Sequence, residues 1–186
     1  MSTKVKGAVL LARRAMVLDE LGEEGWTRIL DLLEPEHRDR LGGLVLSTQW
    51  VPFAVNDALD QAIVEVLGGG DRELFKRIGA RSARENLGGP HSHFVTPGDP
   101  AAFMKRTERI YKFYYDEGYR DFEPTSDTSG VMTTYGAGTF SATDCLTVIG
   151  WYEEALGMCG AAAVEIVEEA CRAEGASHCR YRVSWG

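Results

Sequence analysis

Three cysteines near the end of the chain, Cys145, Cys171 and Cys179, are spaced so that they can close on one point. The stretch from Thr143 to Trp185 reads as a helix, a strand, a tight turn and a final strand. His178–Trp185 alternates Cys179, Tyr181, Val183 and Trp185 against Arg180, Arg182 and Ser184, the period-two pattern of a half-buried strand. Ala163–Cys171 is rich in Val, Ile and Glu, and a turn around Gly175 joins the two. Centred there, the turn sets Cys171 opposite Cys179, Val167 opposite Val183 and Glu168 opposite Arg182. Opposed Cβ atoms in an antiparallel pair lie roughly 5 Å apart, close enough for two thiolates to share a tetrahedral metal. Ser141 and Asp144 have the spacing of a capping box, so Cys145 falls in the first turn of the preceding helix, where a thiolate is favoured. Cysteine is also a small hydrophobe of protein cores, and Cys145 and Cys159 lie on the face that should point inward. Spacing alone leaves both readings open, structural cysteines and a metal.

The remaining chemistry-bearing residues form no catalytic pattern. His91 and His93 are two apart in a loop with no third ligand motif nearby, and read as solvated. Gly68–Gly70 lacks the Lys-Ser/Thr of a phosphate cradle. There is no nucleophile elbow, no HExxH and no Ser/His/Asp arrangement, so a non-enzymatic role is expected. The acidic residues read as solvated helix faces. A net charge of −8 argues against nucleic acid or an anionic membrane as main partner. No apolar run reaches the length of a membrane span and the start does not read as a signal peptide, so a cytoplasmic location is expected.

The elements that must position these residues follow from periodicity. The 186 residues read as one domain, helical over about 1–117 and ββαββ over about 118–186. Helices are expected over Val5–Leu21, ended by Gly22, and over Glu24–Leu33. A short piece follows from Pro35, then helices over Trp50–Val66, Arg72–Leu87 and Pro100–Glu117. Tyr119–Thr125 and Val131–Tyr135 form a first hairpin. The fold class is therefore α+β, with helices packed on a four-stranded antiparallel sheet. Aromatic residues at helical spacing suggest a pocket between helices and sheet lined by Trp50, Phe53, Phe103, Ile110, Tyr111 and Tyr114.

Two resemblances extend this reading. The three-cysteine spacing, with the run from Glu169 to Cys179, resembles the 4-vinyl-reductase-like domain found in phenol-responsive bacterial sensor proteins. The likeness covers about the last quarter of the chain. It implies a structural zinc held by the three cysteines and an acidic residue upstream of Cys145, for which Glu123 is the nearest candidate. Over nearly the whole chain the layout resembles the haem–nitric oxide/oxygen binding (H-NOX) domain. The carriers are Lys6-Gly7-x-Val9, Gly25-Trp26 with Ile29, the Phe103-Met104 helix, and the ββαββ tail ending in Tyr181-x-Val183-x-Trp185. Both domains share a fold with vesicle-tethering subunits. The departures speak against haem. Tyr111 stands where the iron-ligating histidine belongs, and Ala137 and Thr139 stand where the Ser and Arg of the propionate-binding Tyr-x-Ser-x-Arg belong, with Tyr135 keeping the tyrosine. The resemblances imply a sensor for an apolar or aromatic small molecule, signalling as a homodimer or through a partner protein. A ligand-free interaction module and a degenerate haem gas sensor are the alternatives.

Overall fold

The computed structural model describes residues 3–186; Met1 and Ser2, part of the segment read as no signal peptide, lie outside the described residues. The architecture is α+β, as the periodicity predicts. Helices α1 (Gly7–Asp31), α2 (Pro35–Gly42), α3 (Phe53–Val66), α4 (Leu74–Leu87), α5 (Pro100–Met104) and α6 (Thr107–Tyr114) precede a hairpin of β3 (Tyr119–Ser126) and β4 (Ser129–Tyr135). Helix α7 (Ala142–Met158) and the hairpin β5 (Val164–Ala170) and β6 (Cys179–Trp185) complete the chain. The sheet is antiparallel throughout in the order β3-β4-β6-β5. Among the described residues no helix is long and apolar enough to cross a membrane.

Two local differences from the periodicity have physical causes. Val5 and Trp50 do not open helices. Lys4–Lys6 and Trp50–Pro52 instead pair as short antiparallel strands, β1 and β2, with Val5 and Val51 opposite and both fully buried. Pro52, extended at φ −53° and ψ 135°, then hands over to α3. Gly22 breaks the helical geometry where the periodicity ends the first helix, at φ 65° and ψ −167°, so α1 consists of two helical segments that meet at a kink. The aromatic stretch splits into α5 and α6 because Thr107 Oγ1 turns back to donate to the Met104 carbonyl at 2.6 Å.

Helix α7 lies between α4 and the sheet, and its approach to α4 is set by two glycines. A Cβ on Gly79 of α4 would overlap the Thr147 carbonyl oxygen, and one on Gly150 of α7 would overlap the Lys76 carbonyl oxygen. The two backbones touch, with no room for a side chain at either point. A third glycine on the same helix, Gly157, faces open space.

This contrast predicts opposite signs for one substitution. Gly79→Ala and Gly150→Ala should each destabilise by about 1–3 kcal/mol, because overlap with backbone outweighs the helix-propensity gain. Gly157→Ala should be neutral or stabilise by up to about 1 kcal/mol. Thermal melting of the three variants, where about 1 kcal/mol moves the midpoint by about 2–4 °C in a chain of this size, checks the order.

Candidate functional site

The inward face of the sheet places the cysteines. Arg120 of β3, Thr134 of β4 and Cys179 of β6 stand side by side in one cross-strand row, and Phe122, Met132, Tyr181 and Glu168 form the next inward row. Two residues three apart on a regular strand face opposite sides. Glu168 and Cys171 escape this because the register slips between Glu168 and Ala170, a β-bulge that shifts the pairing by one residue. Ala170 faces Arg180, the register that the turn predicts near the loop, while Val167 and Glu168 face Arg182 and Tyr181, one residue away from the predicted pairing. The bulge therefore turns Glu168 and Cys171 to the same side.

Helix α7 brings the third thiol. Ser141 caps it, accepting from the Asp144 amide at 3.2 Å, and Cys145 sits in the first turn. Cys145 Sγ lies 3.6 Å from Cys171 Sγ and 3.7 Å from Cys179 Sγ. The ligand atoms of Cys145, Glu168, Cys171 and Cys179 all lie within 4.8 Å of one another. Metal–sulfur bonds of ~2.3 Å at the tetrahedral angle put sulfurs about 3.8 Å apart, whereas a disulfide needs about 2.05 Å. The spacing thus matches a shared cation, and all four cysteines, Cys159 included, are free thiols. One carboxylate oxygen of Glu168, Oε1, is buried without a hydrogen-bond partner. An orphaned acceptor beside three thiols is what a missing fourth bond to a metal looks like.

The thiols differ in acidity. The hydrogen bond that Cys145 donates to Cys179, together with burial, pushes Cys145 far up. The same bond, helped by the Arg172 amide at 3.4 Å, lowers Cys179 to about 7, so it is the first to ionise. Burial pushes Cys171 up to about 11. Glu123 is absent from the cluster. It lies in an outward row with Val131, Arg182 and Val167 and is exposed, so strand alternation sends it to the other face. Glu168 stands where that residue was expected.

Beside the cysteines, a cavity of about 40 Å³ opens between α1, α4, α6, α7 and β3. Ile110, Tyr111 and Tyr114 line it as expected, with Tyr115, Trp151 and Tyr152. Phe103 is fully buried and packs on Trp151 and Tyr152 behind the wall, Phe53 is buried in the core at the start of α3, and neither lines the cavity. Trp50 is 40 % exposed on β2 under the Lys6 ammonium. His91 and His93 stay in the loop, His91 against the edge of Phe113.

The cavity also borders a buried polar network that periodicity did not reveal. Arg13 of α1 pairs with Asp60 of α3 through two hydrogen bonds, one of them at 3.0 Å, and both side chains are at most 1 % exposed. Thr143 donates to Asp60 at 2.9 Å, and Asn56 does so at 3.3 Å. Tyr115 donates to Asp144, at 3.1 and 3.2 Å to its two oxygens, and Arg13 approaches Asp144 to 3.9 Å. Burial raises the Asp144 carboxyl to about 6 even though Arg13 opposes the shift. Asp60, one of the acidic residues that read as a solvated helix face, is fully buried with Asn56, because Arg13 comes from the apolar side of α1 to meet it.

No protein-family model matches the sequence, and no curated protein matches it. Solved structures do. A K. algicida H-NOX protein in its Fe(II) unliganded state superposes with a TM-score of 0.75 over 97 % of this chain and 96 % of that one. An S. oneidensis H-NOX protein in the Fe(II)NO state gives 0.73 over 97 % and 99 %. This chain has the H-NOX fold. Sequence identity to these two is 16 % and 14 %, so the likeness is one of backbone architecture. An NMR structure of an H-NOX domain from Shewanella oneidensis in the Fe(II)CO state shares it at a TM-score of 0.70 with 16 % identity, over 97 % of this chain and 98 % of that one.

The network yields a prediction. Arg13→Met leaves Asp60 buried without its counter-charge and should cost on the order of 3–5 kcal/mol. Arg13→Met with Asp60→Leu removes both charges and should recover most of that loss. Chemical denaturation of the single and double variants measures the difference.

Proposed function

We propose that this H-NOX-like chain is a haem-independent, non-catalytic sensor or regulatory domain, pinned by a structural zinc and binding a small molecule between helices and sheet. The zinc ligands are Cys145, Glu168, Cys171 and Cys179. The observation that carries this reading is the orphaned Glu168 Oε1 held within 4.8 Å of three sulfurs by a β-bulge. Zinc suits three thiolates and a carboxylate in tetrahedral array. Its task there is to tie α7 to the hairpin, since four protein ligands leave no open position for chemistry. Cys179, the most acidic thiol, is the natural first ligand.

Structural neighbours are described with Fe(II) and haem, but the residues of this chain do not fit a porphyrin. Helix α6 has no histidine. Tyr111 Oη donates to the Glu117 carbonyl at 2.7 Å, its ring stacks on Tyr115, and burial raises its pKa, which disfavours an iron-ligating phenolate. Tyr135 stands at the exposed end of β4 against Tyr119 and His178, and Ala137 and Thr139 bring no guanidinium for a propionate. A cavity of about 40 Å³ is far below the usual range for cofactor pockets of roughly 300–1,000 Å³.

A ligand-free interaction module remains the second reading. It is favoured by the exposed apolar side chains Leu32, Leu44, Leu46 and Trp50, with Leu44 84 % exposed. Such a module would work as a homodimer or with a partner protein in the cytoplasm.

Protein purified without chelator should carry about one zinc per chain by elemental analysis. Cys171→Ser should abolish retention, Glu168→Gln should weaken it, and Glu123→Gln should leave it unchanged. Hemin added to the protein should give no Soret band of ligated iron. Metal-free protein from the same preparation sinks the zinc assignment, and a ligated Soret band sinks haem independence.

A further inference from the structure

The cavity wall holds a buried cation with no carboxylate in ion-pair contact among the described residues. Arg120 of β3 is only 5 % exposed, and among the described residues its one hydrogen bond runs from Nε to Thr134 Oγ1 at 2.8 Å. Its guanidinium carbon lies 5.1 Å from the centre of the Tyr111 ring and 5.6 Å from that of Tyr152, so the rest of the group is held between aromatic faces. No carboxylate among the described residues pairs with it. The other buried arginine, Arg13, has taken Asp60 and comes within 3.9 Å of Asp144, which Arg120 influences only from beyond ion-pair distance. A buried charge without a partner is expensive, and aromatic faces offset only part of that cost. The Nη groups of Arg120 are thus fork-shaped donors with no recorded hydrogen-bond partner, on a residue that lines the cavity.

The rest of the wall agrees with an anionic visitor that has an apolar end. Tyr114 and Tyr152 line the cavity, and their hydroxyls are buried without a hydrogen-bond partner. Ile110, Val148 and Trp151 supply apolar surface beside them. We propose that the cavity binds a small organic monocarboxylate, its two oxygens on the Arg120 guanidinium and its hydrocarbon end against Val148 and Trp151. A monoanion is specified because one cation is unmatched, while the nearby Asp144 would repel a second negative charge. A carboxylate is specified because two parallel acceptors match the guanidinium fork. At about 40 Å³ the cavity admits a short-chain acid before it admits a large one.

This inference rests on the reading of the chain as a ligand-binding domain and names the ligand's chemistry. The test uses the full chain at constant ionic strength, with acetate, propionate, butyrate and benzoate as probes. The corresponding amides and phenol are the neutral comparators. Calorimetric titration and thermal shift provide the readouts. The expected result is saturable binding of at least one carboxylate, with its amide weaker by about tenfold or more. Arg120→Lys keeps the charge but loses the fork, and should weaken carboxylate binding about tenfold without touching the amide. Tyr152→Phe, which removes only a hydroxyl, should weaken it less, and it keeps the test open should Arg120→Lys fail to fold. Amides or phenol binding as tightly as the carboxylates would overturn this inference and leave a ligand-binding domain standing. Carboxylate binding unchanged by both variants would also overturn it, because the anion would then sit elsewhere. Binding of no probe would overturn the inference and the ligand-binding reading together.

Discussion

Helix α7 has almost no freedom, and the rest of the structure is built on its position. On one side its backbone meets α4 where Gly79 and Gly150 remove both side chains. On the other it faces the inner rows of the sheet. Within that space successive turns do different work. Thr143 and Thr147 hydrogen-bond to the Arg13–Asp60 pair, Cys145 reaches the hairpin sulfurs, and Val148, Trp151 and Tyr152 wall the cavity. A helix that moved outward by the width of one methyl group would lose all three sets of contacts, because packed interiors leave no slack.

The centre of the molecule is charged instead of hollow. Arg13, Asp60, Asp144 and Arg120 are all buried there, and the hydroxyls of Thr143, Thr147 and Tyr115 satisfy most of the polar atoms. Such networks are costly when incomplete, since removing one member leaves another unpaired in a low-dielectric setting. Side chains of α1, α3, α6 and α7 fill with hydrogen bonds and ion pairs the space between helices and sheet, and the small void left over is bordered by Arg120, a buried cation with no ion pair among the described residues.

The parts of this arrangement differ in how legible they were from the sequence. Periodicity identified the helices, the ββαββ tail and the sulfur cluster, because a 3.6-residue stripe and a two-residue alternation are properties of consecutive residues. The bulge was invisible. A slip of one residue in β5 depends on what β6 can accept, and it decides that Glu168 joins the thiols while Glu123 does not. Arg13, Asp60 and Arg120 were missed for a related reason. A charged residue on an apolar stripe looks like an irregularity until its partner, 47 positions away for Arg13 and Asp60, is known. The one clue available was that Arg13 falls in register with Val9, Met16 and Val17 on the buried side of α1. The splitting of α5 from α6 and the β1–β2 pair are likewise tertiary choices, which local propensity does not encode.

The sulfur cluster and the cavity are neighbours by construction. Arg120 and Cys179 flank Thr134 in one row of the sheet, so a single strand, β4, separates the guanidinium at the cavity from a thiol of the cluster. A narrow second void, lined by Arg120, Asp144, Cys145 and Cys179 among others, runs between them. Adjacency of this kind does not by itself make one site report on the other; that needs an element with two arrangements which both sites bias. Helix α7 is held at its first turn by Cys145 and along its length by the glycine crossing, so the strongest contacts oppose a rocking motion. A metal at the first turn would stiffen it further. A ligand bound in the cavity would then be felt chiefly by β3 and α6, the two elements that carry Arg120, Tyr111 and Tyr114 and lie outside the clamp.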